Sequence, residues 1–96
     1  MTFTFHPAAV IEFTEAIDYY ESCQKNLGYE FSLEVYETIN RIIINPNAWQ
    51  LMNDNIRRSL VNRFPFGILY VIRNNEILIL AVMHLHRKPN YWQNRT

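Results

Sequence analysis

The sequence has 96 residues, of which 49% are hydrophobic and 15% aromatic, and its formal net charge is zero. This composition argues against disorder, and the length predicts a single domain spanning residues 1–96. No apolar run approaches the roughly 18 residues of a membrane span, and the N-terminus lacks the features of a signal peptide. Cys23 is the only cysteine, which excludes an internal disulfide. We therefore expect a cytoplasmic protein without a membrane partner.

Charge is divided unequally between the two halves of the sequence. Residues 1–56 carry two basic and eight acidic side chains, a balance of −6, whereas residues 57–96 carry seven basic and one acidic, a balance of +6. One interpretation is that the basic half meets an anionic partner. The other is that the two halves neutralise each other within the fold.

The first half predicts a strand followed by two helices. Thr2 to Phe5 alternates threonine and phenylalanine, as a half-buried strand does, and Pro7 suits the first turn of a helix. A first helix is predicted from Ala8 to about Asn26, and Gly28 is expected to let the chain turn. Its predicted apolar stripe consists of Val10, Phe13, Ile17, Tyr20 and Leu27.

A second helix is predicted from about Tyr29 to Ile44, because Asn45 precedes a proline and such residues avoid helical dihedral angles. Glu37 and Arg41 are spaced to pair on its outer side. Residues 47–55 are predicted to form an ordered connection with a short strand or turn. The apolar stripe of this helix consists of Phe31, Val35, Ile39, Ile42 and Ile43.

The second half predicts three strands, at about Ile56–Arg63, Ile68–Arg73 and Ile77–His84. Asn74 and Asn75 form the predicted two-residue turn of an antiparallel hairpin, since asparagine tolerates positive φ. Tyr70 and Ile72 are then expected to pair with Ile79 and Ile77.

The two hairpin strands are apolar on both faces, so both faces need cover. The helices can cover one, and the other must meet a further segment of the chain, a twin subunit or a different protein. We predict an open apolar patch formed by one alternate set of these strands, for instance Leu69, Val71, Leu78, Leu80 and Val82. The sequence leaves open which of the two alternate sets faces outward. The predicted fold class is α+β, with an N-terminal strand and a two-helix hairpin packed on a three- to four-stranded antiparallel sheet.

Two motifs resemble the RelE/ParE superfamily of bacterial toxins. The first is Arg57-Arg58…Arg63-Phe64-Pro65-Phe66…Ile68…Tyr70, and the second runs from Ile79 through His84-Leu85-His86-Arg87-Lys88-Pro89 to Tyr91-Trp92. Both are similar to motifs of ParE-like plasmid-stabilisation proteins. His86 and Lys88 depart from that pattern, since arginine and aspartate are common there.

The resemblance implies the toxin of a type II toxin–antitoxin system that causes growth arrest. ParE-like members are described as DNA gyrase inhibitors without hydrolase activity, and RelE-like members as ribosome-dependent mRNA endoribonucleases. A third possibility is an inactive relative that only binds. The implied partner is a cognate antitoxin whose C-terminal segment lies across the uncovered sheet face. Operator DNA would be bound only through the antitoxin, and no cofactor is expected.

The basic and imidazole groups near the hairpin ends are the candidate functional residues. RNA cleavage needs a base, an acid and cations that hold the phosphate, so the catalytic candidates are His84, Arg87 and Tyr91. The alternative is that His84 hydrogen-bonds a loop and that Arg87 pairs with helix carboxylates. The candidates for target binding are Arg58, Arg63, His86, Lys88 and Trp92.

Three further expectations concern this region. Arg58, Arg63, His84 and Arg87 are expected to share one connected surface at one end of the sheet. His84 and His86 have a spacing seen in metal sites, but no third ligand lies near in sequence and no metal is expected. Tyr91 and Trp92 can stack on bases, although such a pair more commonly folds back and caps the core.

Overall fold

A computed structural model describes residues 1–88 and 90–95. A strand and two helices precede four further strands, and the five strands form one sheet in the order β1-β5-β4-β3-β2. The elements are β1 (Thr2–Phe5), α1 (Pro7–Cys23), α2 (Leu27–Ile44), β2 (Gln50–Leu51), β3 (Arg57–Leu60), β4 (Phe66–Arg73), β5 (Glu76–His84) and a 3₁₀ helix (Gln93–Arg95).

The predicted α+β class, with its N-terminal strand and helical pair, is confirmed. The sheet is larger than predicted, because β1 pairs in parallel with β5 and β2 adds two residues beside β3. The other pairings are antiparallel. Within the described residues, neither long helix combines the length and apolar character needed to cross a bilayer.

The β4–β5 hairpin has the predicted turn. Asn74 and Asn75 have φ of 51° and 61°, the left-handed values that a tight two-residue hairpin turn requires. Ile72 lies opposite Ile77, and Tyr70 lies opposite Ile79. The predicted register is therefore confirmed.

A bulge interrupts this hairpin further from the turn. Leu69 lies opposite Ala81 while Tyr70 lies opposite Ile79, which leaves Leu80 as an extra residue on β5. An extra residue reverses the alternation beyond it. Val82 consequently packs with the helix-side core, and Met83 packs on the other face. The prediction that Val82 and Leu80 lie on the same face of the sheet is wrong for this reason.

The helical hairpin differs from the prediction at its turn. Gly28 lies inside α2, where an added Cβ would stand 2.5 Å from the carbonyl oxygen of Ile17. Glycine therefore permits the close approach of the helices, and Asn26, with φ of 71°, makes the turn. The side chain of Val10, predicted to be in the core, is 48% exposed, while Ala9 is fully buried.

The face of the sheet opposite the helices is covered by the chain itself. Leu69, Val71 and Leu80 are buried there, together with Ile56 and Trp92. Trp92 is only 2% exposed, so the C-terminal segment folds back onto the sheet as the capping alternative predicted. The predicted open apolar patch on this face is wrong, because two segments distant in sequence close it.

Candidate functional site

A cleft of about 360 Å³ opens between α1 and the end of β5. Apolar and aromatic side chains form much of its wall, and charged groups and an imidazole stand at its rim. We call it the helix-side cleft. Its lining includes Glu12, Ala16, Tyr19, Tyr20, His84 and Arg87.

Glu12 organises the inner end of this cleft. Strand β1 ends at Phe5, opposite Ile79, so β5 continues without a neighbouring strand on that side. There the Glu12 carboxylate accepts hydrogen bonds from the backbone N–H of Val82 and from Nη1 of Arg95, both at 3.0 Å. Arg95 also donates to the carbonyl oxygen of Leu80 at 2.9 Å. Glu12 and Arg95 thus provide hydrogen-bond partners for backbone groups of β5 that have no neighbouring strand.

Arg87 belongs to the same cluster. Its Nη1 lies 3.6 Å from Oε2 of Glu12, and its guanidinium lies 3.8 Å from the ring centroid of Tyr91. Its side chain is still 53% exposed. This geometry matches the alternative prediction, in which Arg87 pairs with a helix carboxylate. About half of the Arg87 side chain nevertheless remains accessible to a partner.

Tyr91 is held in its neutral form at physiological pH. Burial raises the pKa of its hydroxyl to about 12, the negative charge of Glu12 acts in the same direction, and Arg87 and Arg95 oppose it. The hydroxyl is buried and has no hydrogen-bond partner among the described residues. A phenol in this state does not serve as a general base near pH 7.

His84 is half-buried at the end of β5. Its ring packs edge-on against Phe66, with centroids 5.0 Å apart, and its Nδ1 accepts a hydrogen bond from the backbone N–H of His86 at 3.1 Å. This bond places the proton of the neutral imidazole on Nε2. His86 and Lys88 are exposed in the segment that follows the strand.

The remaining candidates lie elsewhere. Arg63 is paired with Glu30 of α2 at 2.8 Å. Arg58 lies opposite Leu69, on the face of the sheet away from His84. The structure brings His84 and Arg87 together but separates Arg58 from them. The expectation of one connected surface is therefore wrong, because it neglected the two faces of the sheet.

Sequence reasoning missed Glu12 and Arg95. Glu12 lies outside the predicted apolar stripe of its helix, yet only 12% of its side chain is exposed. A signal was present, since Glu12 follows the buried Ala9 by three residues and precedes the buried Ala16 by four. These spacings place all three on one helix face, which two alanines mark as closely packed. No local sequence pattern indicates the role of Arg95, because its contact with Glu12 joins residues that are distant in sequence.

The fold and cleft define a small α+β protein in which a helical hairpin packs on one face of a mostly antiparallel sheet. No protein-family model matches the chain, and no curated protein matches it. Among solved structures it is similar to a chain described as "Chromosomal ParDE TA system from P. aeruginosa". The TM-score is 0.77, the identity is 17%, and the match covers 90% of this chain and 97% of the other. The fold expected from the family resemblance is thereby confirmed.

Proposed function

We propose that this protein is the toxin of a type II toxin–antitoxin pair, of the ParE-like branch, acting in the cytoplasm and neutralised by a cognate antitoxin. The observation that carries the proposal is the similarity in fold to a chain of a ParDE system over nearly the full length of both chains. The two sequence motifs resemble the same branch independently of the fold.

The geometry of the helix-side cleft favours a non-hydrolytic action over RNA cleavage. Burial raises the pKa of Tyr91 to about 12, so its phenol is a weaker acid for a leaving oxygen than an ordinary tyrosine. Arg87 is shared between Glu12 and the ring of Tyr91. Nδ1 of His84 already accepts a hydrogen bond. A nuclease needs a free base and cations directed at a phosphate, whereas Arg87 packs on the ring of Tyr91 and Nδ1 of His84 is bonded to the backbone of His86. The resemblance to the ParE-like branch, whose members are described as DNA gyrase inhibitors, makes gyrase our proposed target.

Within this proposal, the exposed segment after β5 contacts the target. His86 and Lys88 are exposed there, and the side chain of Arg87 is about half exposed. Replacing Arg87 by alanine should abolish growth arrest and lower the free energy of unfolding by less than about 1 kcal/mol, because Arg87 is half exposed, its contact with Glu12 is long at 3.6 Å, and Arg95 keeps Glu12 paired. A large loss of stability would instead make Arg87 a structural residue.

The test combines three measurements on one set of proteins. Induced expression should arrest bacterial growth, co-expression of the neighbouring reading frame should restore it, and the purified protein should inhibit supercoiling by gyrase. His84→Asn keeps a side-chain acceptor for the N–H of His86 but removes the titratable ring. The proposed function expects this variant to arrest growth as the parent does.

A ribosome-programmed RNA cleavage assay tests the alternative function, an mRNA endoribonuclease. If the parent protein cleaves mRNA and His84→Asn loses both cleavage and growth arrest, the protein is a nuclease and the gyrase proposal is overturned. If expression causes no arrest while the folded protein still binds the product of the neighbouring frame, it is an inactive binding relative.

A further inference from the structure

A second cleft, of about 440 Å³, lies at the opposite edge of the sheet from β1. It forms where β3 continues beyond the two-residue strand β2 and where the end of α2 and the following loop approach this edge. We call it the edge cleft. Its lining includes Arg41, Trp49, Gln50, Arg58, Leu60 and Asn62.

Two arginines line the edge cleft, and neither has a carboxylate partner among the ion pairs of the described residues. The four ion pairs of the described residues involve Arg63, Arg87 and Arg95, all of them bound to glutamates of the helices. Arg41 instead donates to the hydroxyl of Thr38, and Arg58 donates to the side-chain amide of Gln50. The described lining contains no acidic residue. The predicted pair between Glu37 and Arg41 is absent from the ion pairs of the described residues, so this positive charge is uncompensated.

The same region contains two buried hydrogen-bond donors without acceptors among the described residues. Nε1 of Trp49 and Nε of Arg58 are buried and have no acceptor among the described residues. Arg57, on the neighbouring position of β3, already uses the carbonyl oxygen of Trp49 at 2.7 Å. Buried donors without acceptors are uncommon in folded proteins. The guanidinium groups of Arg41 and Arg58, which line the cleft, can donate charge-assisted hydrogen bonds to an incoming oxyanion.

The surroundings favour a carboxylate on a polypeptide over a nucleic-acid phosphate. Leu60 lines the cleft and is 51% exposed, and Leu51 on β2 is 49% exposed. Nucleic-acid backbones are bound by extended rows of cations that neutralise successive phosphates. Two arginines beside exposed leucines instead complement a short segment that alternates acidic and apolar side chains.

We propose that the edge cleft binds an acidic side chain of a partner protein, held by the guanidinium groups of Arg41 and Arg58 and flanked by apolar contacts to Leu60. Identifying that partner as the antitoxin rests on the proposed function, whereas the site itself does not. Its place on the opposite sheet edge from β1 leaves the helix-side cleft free for a second contact.

The two tryptophans of the chain provide a direct test. The isolated full-length protein, labelled with ¹⁵N, is titrated with the blocked peptide acetyl-Leu-Glu-Leu-Glu-Leu-amide while both indole N–H resonances are followed by NMR. We expect the resonance of Trp49 to shift saturably and that of Trp92, buried under the other sheet face, to stay in place. The matched peptide with glutamine in place of glutamate should cause no saturable shift.

Variants establish which cations hold the peptide. Arg41→Gln and Arg58→Gln should each weaken peptide binding about tenfold, the usual scale for one charge-assisted hydrogen bond. Arg73→Gln is the matched control, because Arg73 is exposed at the hairpin turn and takes no part in the ion pairs of the described residues. An unchanged Trp92 resonance verifies that each variant is folded. If all three variants bind the peptide equally weakly, the loss of affinity reflects the lower net charge of the protein, and the proposed site is overturned.

Two further arms decide the class of ligand. Inorganic phosphate and an octathymidine oligonucleotide are titrated under the same conditions. If either ligand saturates the shift of the Trp49 resonance at a lower concentration than the peptide does, the peptide assignment is overturned. The absence of any saturable shift at Trp49 overturns the site altogether. Neither result bears on whether expression arrests growth or whether co-expression restores it. Failure of the edge cleft as a binding site is therefore distinguishable from failure of the proposed function.

Discussion

Replacing Glu12 by alanine tests whether one helix carboxylate holds the C-terminal segment against the sheet. The substitution removes the acceptor for the N–H of Val82 and for Arg95. The Glu12 and Arg95 side chains are 12% and 16% exposed, so water replaces these bonds only in part. A lost charge-assisted bond costs about 1.5–3 kcal/mol, and a buried donor left without an acceptor about 1–3 kcal/mol.

With partial rehydration, the expected loss for Glu12→Ala is about 3 kcal/mol. For a domain of this size, that corresponds to a fall in Tm of about 15 °C. Thermal unfolding followed by circular dichroism measures it. Glu12→Gln keeps one oxygen acceptor but loses the charge and the second oxygen, which faces Arg87, so its Tm should lie between those of the alanine variant and the parent.

Glu15→Ala is the matched control. Glu15 lies three residues further along the same helix, is exposed and takes no part in the ion pairs of the described residues. Both substitutions change helix propensity equally, so the difference between them isolates the buried contacts. We expect Glu15→Ala to change stability by less than about 0.5 kcal/mol. Similar Tm values for the two alanine variants would refute the role assigned to Glu12.

Three other predictions address the fold. Gly28→Ala should destabilise by about 1–3 kcal/mol in urea unfolding, because its Cβ meets backbone at 2.5 Å. Gly67→Ala should cost less, since the nearest atoms to its Cβ belong to the flexible side chain of Arg58, at 3.0 Å, and Leu85 is at ordinary contact distance, 3.5 Å. A larger loss at Gly67 would contradict this. Asn75→Gly should stabilise by about 0.5 kcal/mol because φ there is 61°, and a fall in Tm would exclude the assigned turn. Burial raises the pKa of Tyr70 and of Tyr91 to about 12, so the unfolded chain loses these protons first and stability should fall between pH 10 and pH 12. Tyr91→Phe should reduce that fall, and an unchanged pH profile would show that burial of Tyr91 does not control it.

The amino-acid sequence by itself determined the parts of this protein that depend on local periodicity. The alternation of Thr2 to Phe5, the helical spacing of residues 29–44 and the asparagine pair at 74–75 each predict an element that the structure contains. These signals arise from contacts between near neighbours and from backbone dihedral preferences, so they can be read without knowing the fold. His84 and Arg87 were likewise identified together because they are close in sequence.

The tertiary structure alone decided which groups face one another across long sequence separations. The extra residue at Leu80 reverses the faces of Val82 and Met83, and no local pattern marks it. Trp92 closes a sheet face that the strand pattern left open. Arg41 and Arg58 line one cleft because a helix end and a strand approach each other at that edge of the sheet. The physical reason is that burial and charge pairing depend on the position of distant segments, whereas periodicity reports only that an element has an apolar face.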